Sequence, residues 1–330
     1  MSTPRVSVLM AAYNATPYLP QAVESILGQT FTDFEFIIVD DGSTDDTPAY
    51  LQSLSDPRVR VVSQANTGLA VALNVGLENC RGEYVARMDA DDISLPERLG
   101  RQVRFLDEQP AVGCVGCQTA QFGDAKIGGG LHMPTTHRDI CRALDEGRHA
   151  LVHPSIMART ELVRRVGGYW SMRLVSEDHD LFMRLSEAAE MANVGPVLFQ
   201  YRVHAGSLNG KNMRSIIRGI KYSIELAQRR RSRRPAIGYA EFTERLDAAP
   251  PVARAREWVS AYAKSSYLAG VGEMYGGRVW RGRAKIAMAA ALAPKLTLHR
   301  LIRVVAGDKR RGKTTVAAPR APRASEVGHA

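Results

Sequence analysis

Asp89-Ala90-Asp91 sets two carboxylates at i and i+2. On an extended chain such a pair points the same way, so both can share one hard divalent cation, Mn²⁺ or Mg²⁺, whose other sites phosphate oxygens would fill. A lone pair of this kind is weak evidence, and Asp92 and Ser94 before Leu95-Pro96 would also suit a helix cap. A second acidic pair, Asp40-Asp41, adds weight, and a third, Glu177-Asp178, opens a helical pattern with Leu181, Phe182 and Leu185 on one face. Other candidates fail on context. Gly307–Thr314 (GDKRRGKT) has the letters of a P-loop, but only 16 residues follow it, too few for the helix and strands that hold magnesium. Cys114 and Cys117 have metal spacing without a second such pair and would face opposite sides of a strand. His149 and His153 are broken by Pro154 and lack the intervening Glu of a zinc protease.

Strand and helix patterns alternate over the first 110 residues. Strands are expected at Arg5–Ala12, Phe34–Val39, Val59–Val62 and Tyr84–Met88. Helices are expected after Thr16-Pro17, over Thr47–Leu54 and over Gly68–Glu78, with Thr16 as the first helix cap. Successive βα units imply an α/β fold, a mostly parallel twisted sheet with flanking helices. Ligands of open α/β sheets sit beyond the carboxyl ends of the strands. Both Asp40-Asp41 and Asp89–Asp92 fall there. Further on, the pattern predicts a strand near 112–118, a turn at Gly128-Gly129-Gly130, helices near 137–146 and 178–188, and a strand at Val197–Val203.

The chain has 330 residues, 45% hydrophobic and 24% charged, enough for a sizeable core. No apolar run approaches the ~20 residues of a membrane span. The start lacks a cleavage site for a signal peptide, Asn14-Ala15-Thr16 is then no glycosylation site, and four cysteines suit a reducing cytoplasm. Residues 1–210 carry 18 Lys and Arg against 26 Asp and Glu; residues 211–330 carry 26 against 8. An acidic body with a basic appendage points to an anionic surface. Arg229–Arg234 and Pro250-Pro251 read as a boundary and linker. Two or three helices follow over 254–305, with Trp258, Tyr262, Tyr267, Leu292, Leu298 and Leu301 as core candidates, and 307–330 reads as a disordered tail.

Five ordered segments carry a resemblance: VSVLMAAYNATPYLPQAVESILGQTFTDFEFIIVDDGSTDDT, NTGLAVALNVGL, GEYVARMDADDISLPERL, SEDHDLFMRL and YRVHAGSLN. Over residues 4–210 the chain resembles the GT-A glycosyltransferases of family 2. The resemblance implies a GT-A domain at 1–210, a basic helical extension at 211–306, and inverting transfer from a nucleotide-sugar, UDP-linked, to a saccharide or lipid-linked acceptor in surface-polysaccharide assembly. It implies that Ala11, Ala12, Tyr13, Asp41, Asn74, Asp89 and Ala90 hold the donor. An aromatic face can stack on a base, and a carboxylate can accept its ring N–H. It further implies metal ligation by Asp91, Asp89 and His204, and a general base at Asp178, a position that would otherwise read as an N-cap. An imidazole ligand favours Mn²⁺ over Mg²⁺. The sequence departs from many relatives at Leu73, where they carry an arginine before the Asn; the metal would then carry more of the charge neutralisation, unless Arg87 or Arg202 substitutes.

Two other classes compete. A sugar nucleotidyltransferase also joins carboxylates, metal and nucleotide, but would carry a Gly-rich phosphate loop where this chain has AAYNATPY. A nucleic-acid-binding protein could use the Arg-rich extension, yet few aromatics interleave with it and no recognition motif frames it. The expectation is therefore a cytoplasmic enzyme, peripheral on the inner face of the membrane through its basic appendage, with an anionic lipid surface rather than nucleic acid as partner.

Overall fold

The structure, a computed structural model, describes residues 3–123, 125–170, 176–204 and 212–294. It opens with β1 (Val6–Ala12), α1 (Leu19–Leu27), β2 (Phe34–Asp40), α2 (Thr47–Gln52), β3 (Val59–Ser63), α3 (Leu69–Asn79) and β4 (Tyr84–Asp89). The short β5 (Ile93–Ser94) precedes α4 (Arg98–Glu108), β6 (Val112–Gly123), β7 (Lys126–Leu131) and α5 (His137–Asp145). Then come β8 (Met157–Arg159), α6 (Thr160–Arg165), α7 (Glu177–Ala188) and β9 (Glu190–Arg202). The extension holds α8 (Met213–Arg231), α9 (Tyr239–Asp247), α10 (Pro251–Tyr275) and α11 (Val279–Leu292).

One sheet runs β3-β2-β1-β4-β8-β6-β9-β5, with β7 on β6. β1 pairs parallel with both β2 and β4, and β2 with β3. The chain therefore leaves β1 in one direction to β2 and β3, then returns to its other side as β4. That reversal opens a crevice at the carboxyl ends of β1 and β4. Beyond β4 the sheet is mixed, because β8 pairs antiparallel with β4 and β6.

The strands are apolar on both faces, as helices on both sides require. Val6, Val8 and Met10 of β1, with Phe36 and Ile38 of β2, pack under α1 and α4 residues Leu19, Val23, Ile26, Leu99 and Val103. Leu9, Ile37, Val39 and Val85 face the other way, under Leu73 and Leu77 of α3 and Leu181 and Leu185 of α7. Cys114 lies in the second layer and Cys117 in the first, so the two thiols face apart as expected. Between α3 and β4 the chain doubles back against β1: a Cβ on Gly82 would stand 2.5 Å from the Ser7 amide nitrogen.

Several local expectations are corrected. Thr16 does not cap α1, which starts at Leu19; its hydroxyl donates to Asp45 at 2.6 Å. Although burial opposes its charge, bonds from Thr16 and Thr47 bring Asp45 down to about 2. Gly128–Gly130 is no turn but part of β7, where small residues make room for the Tyr275 ring. The arginine run is no linker: Arg229, Arg230 and Arg231 close α8 and pair with Glu225, Glu187 and Asp145. Pro251 opens α10 at a position where a missing N–H costs nothing. Trp258, Tyr262 and Leu292 are exposed rather than core. Leu298, Leu301, the boundary at 210 and the tail from 307 lie outside the described residues.

The extension docks on the body. Tyr222 and Leu226 of α8 are buried with Ile237 and with Phe242 of α9, and the Tyr222 ring stacks on Trp170 with centroids 5.8 Å apart. Arg218 of α8 reaches Asp247 of α9 and Glu257 of α10.

Candidate active site

The strand register brings the acidic segments together. Ala11 of β1 lies level with Asp89 of β4 and Val39 of β2, and Ala12 lies level with Asp40. Ala90 is buried and Tyr13 is 52% exposed at the rim. Asp89, Asp91 and Asp92 bring carboxylate oxygens within 4.8 Å of one another. Burial and the neighbouring Asp91 charge push Asp89 up, and burial with Asp91 and Asp89 pushes Asp92 well up. Three carboxylates this close ionise together only against a compensating charge.

Asp92 is no helix cap. Its Oδ1 accepts the Arg202 amide at 2.7 Å, while Oδ2 is buried without a partner among the described residues. Ser94 belongs to β5, paired with Phe199 of β9. β9 thereby delivers its own end to the cluster: His204 Nε2 lies 3.1 Å from Asp91 Oδ2, and its ring tilts against Tyr18 at 5.1 Å. The Arg202 guanidinium donates to the Asp91 carbonyl at 2.6 Å and sits between the Tyr18 and Phe122 rings. Arg87 is 2% exposed behind the cluster and paired with Asp89. Both arginines are therefore already engaged within the protein. Leu73 is fully buried and faces the core.

Asp41 is 4% exposed and binds a loop. Its Oδ1 accepts from the Thr67 amide at 2.9 Å and Gln64 Nε2 at 2.7 Å; its Oδ2 accepts from the Gly68 amide at 2.9 Å. Gly42 follows with φ +73°, where a Cβ would meet the Asn66 nitrogen at 2.7 Å, so only glycine lets this loop close on the strand. Asn74 is not brought to the cluster. Its amide exchanges two bonds with the Tyr169 backbone, at 2.6 and 2.8 Å.

Asp178 stands in the first turn of α7, half-buried, where the helix dipole favours a carboxylate. Its charge is felt at Asp89 across the crevice. Burial and the Asp178 charge raise Glu177 to about 6. His179, which sequence reasoning passed over, ties this turn down from behind: Nδ1 lies 2.8 Å from Ser223 Oγ of α8 and Nε2 3.2 Å from the Leu144 carbonyl of α5. Its position after two acids was the available signal. Its partners lie on other helices and left none.

The comparisons with known proteins agree with this geometry. Residues 7–167 match the family model described as glycosyl transferase family 2. EpsE of Bacillus subtilis, a candidate glycosyltransferase, is 35% identical over 192 residues, 56% of this chain and 68% of EpsE. The amylovoran biosynthesis glycosyltransferase AmsE of Erwinia amylovora is 31% identical over 212 residues, 62% of this chain and 78% of AmsE. Staphylococcus aureus TarS (residues 1–349), solved with UDP-GlcNAc, superposes with a TM-score of 0.61 at 17% identity, over 89% of this chain and 92% of that one. That last likeness is one of fold.

Proposed function

The chain belongs to glycosyltransferase family 2, and on that premise we propose that it transfers a sugar from a UDP-linked donor to a saccharide or lipid-linked acceptor, with inversion, in cell-surface polysaccharide assembly. The observation that carries this reading is the convergence of Asp89, Asp91, Asp92 and His204 at the crevice between β1 and β4, with Asp178 beside it. AmsE, an amylovoran biosynthesis glycosyltransferase by its name, supports the pathway class, and TarS, solved with UDP-GlcNAc, supports the donor class. The donor's base would lie along Ala11, Ala12 and Tyr13 with Asp41 at its edge, and its ribose and diphosphate along Asp89 and Ala90.

The residues fit a hard divalent cation: the oxygens converge, and the second Asp92 oxygen is buried without a partner among the described residues. Asp91, Asp89 and His204 would hold Mn²⁺ or Mg²⁺, whose charge would offset that of the departing diphosphate. Asp178 takes the proton from the acceptor hydroxyl, which then displaces the nucleotide at the anomeric carbon in one step. Glu177, kept partly protonated near neutrality by burial and by Asp178, limits the repulsion at that turn. No covalent intermediate is needed. The enzyme would work at the cytoplasmic face, where such donors are made.

The test is nucleotide release from a panel of nucleotide-sugars with Mn²⁺ and a saccharide acceptor. A UDP-sugar should turn over, and EDTA or Asp91→Ala should abolish turnover with the circular dichroism spectrum unchanged. Full activity in EDTA would remove the metal from the proposal, and turnover of GDP- or dTDP-linked sugars alone would overturn the donor.

A further inference from the structure

α10 and α11 form an antiparallel pair whose closest approach is at two glycines, flanked by Met274 and Ile286. A Cβ on Gly270 would stand 2.8 Å from the Gly282 carbonyl, and one on Gly282 2.6 Å from that of Gly270, so the two backbones touch there. Ala261, Ala263, Ser266 and Ala289 are also buried. A set of large apolar side chains points outward: Val252, Trp258, Val259 and Tyr262 on α10, and Trp280, Met288 and Leu292 on α11, with Trp280 79% exposed. At about 100° per residue, Val252, Val259 and Tyr262 share one face of α10, and Trp280, Ala284, Met288 and Ala291 share one of α11. The Tyr262 hydroxyl reaches Met288 Sδ at 3.9 Å, which joins the two strips into one surface.

The charge on this surface is one-sided. Arg254, Arg256, Arg281 and Arg283 are exposed, and none has a salt bridge to a described residue. Arg283 lies over the Trp280 ring at 5.2 Å. The pair's two acids are already neutralised, Glu257 by Arg218 and Glu273 by Arg278 and Lys285. In the Arg229–Arg231 run, by contrast, Arg230 and Arg231 pair with Glu187 and Asp145 of the body and Arg229 with Glu225 of its own helix. Exposed Trp, Met and Leu bordered by unpaired arginines suit the boundary between lipid headgroups and acyl chains. No helix among the described residues is long and apolar enough to cross a membrane.

We propose that the outer face of α10 and α11 docks flat on an anionic lipid bilayer, with its large apolar side chains at the acyl boundary and the four arginines on headgroup phosphates. This goes beyond sugar transfer and does not depend on it. Binding is read by co-sedimentation of the full chain with vesicles of phosphatidylcholine containing about one-third phosphatidylglycerol. Arg281→Gln with Arg283→Gln should lower partitioning about 30-fold, from the usual worth of a basic residue near such a surface. Trp280→Ser should lower it about tenfold. Trp280→Phe should keep binding but lose part of the blue shift in tryptophan emission, the rest coming from Trp258. Nucleotide release on a soluble acceptor is measured alongside, so failure of docking and failure of the transferase reading are separate results. Wild-type protein that does not sediment, or a double Arg281→Gln and Arg283→Gln variant and a Trp280→Ser variant that both bind as wild type does, would overturn the proposal. So would binding that appears only once residues 295–330 are removed, loss of a dimer or of duplex DNA binding as the variants' only effect, or phosphatidylcholine vesicles binding as well.

Discussion

Among the described residues Arg98 is the largest fully buried side chain, and none of their carboxylates pairs with it. Its guanidinium donates to the Arg87 carbonyl at 2.7 Å, the Ile156 carbonyl at 3.1 Å and Gln102 Oε1 at 3.1 Å, and rests over the Phe199 ring. It thereby clamps β4, which carries Asp89, to the segment before β8. Arg98→Met keeps length and removes charge and donors. Two effects oppose each other. Burial pulls the Arg98 pKa down to about 10, so removing the charge relieves on the order of 3 kcal/mol. Against that, the Arg87 carbonyl and the Gln102 amide oxygen lose a donor inside the core at ~2 kcal/mol each, and the Ile156 carbonyl, which keeps the Arg87 amide at 3.0 Å, loses one of two at ~1 kcal/mol. The net expectation is a loss of about 2 kcal/mol, read as a lower urea midpoint at unchanged slope. Arg98→Lys, which keeps one charge and fewer donors, should fall between. A loss under about 1 kcal/mol for Arg98→Met would mean the carbonyls find other donors, and the clamp argument would fail.

Asp178→Asn keeps shape and removes basicity: donor affinity should persist while kcat falls by roughly 10²–10⁴-fold, and normal turnover measured by nucleotide release would return Asp178 to a helix cap. Glu177 has a folded pKa of about 6 against 4.5 in the open chain, so the folded state holds more protons between these values and stability falls as pH rises from 4.5 to 6. Glu177→Gln should therefore gain on wild type by about 1–2 kcal/mol across that window, followed by urea midpoints at pH 4.5 and 7; a constant difference would refute it. Gly82→Ala drives a methyl group into the β1 backbone and should cost about 3 kcal/mol or more, seen in thermal unfolding, with a neutral result showing that the turn can shift. Asn74→Ala breaks the exchange with Tyr169 and should cost ~2 kcal/mol with donor Kd unchanged, as titration calorimetry would report.

The first half of the fold is legible because its signals are local. β1, β2 and β4 are continuous apolar runs, each followed by a turn and an amphipathic helix, and the acids that matter stand at their ends. The second half is not, because its strands are defined by partners far away. β8 is three residues long and shows no alternation; it exists because β4 and β6 each lack a neighbour on one side. Arg98 gave no sign of burial, since the carbonyls that hold it belong to β4 and to the segment before β8. α4 did offer a readable face in Leu99, Val103 and Leu106, and it went unread beside the acidic motif.

The extension inverted an ordinary inference for a physical reason. Trp258, Tyr262 and Leu292 read as core because large apolar side chains usually seek it. The α10–α11 contact instead brings the backbones together at Gly270 and Gly282, with Met274 and Ile286 lying against those glycines, and leaves these three outside. Small residues at the closest approach and aromatics outside is the arrangement expected where the outer medium is itself partly apolar. The same inversion explains why the arginine run is a poor guide to the surface. Arginines beside acids on neighbouring helices are consumed in fastening α8 to the body, and those on α10 and α11 keep their charge because their acidic neighbours are already taken. A net charge counted along the chain thus says that a basic surface exists. Which helices present it depends on where the carboxylates fold.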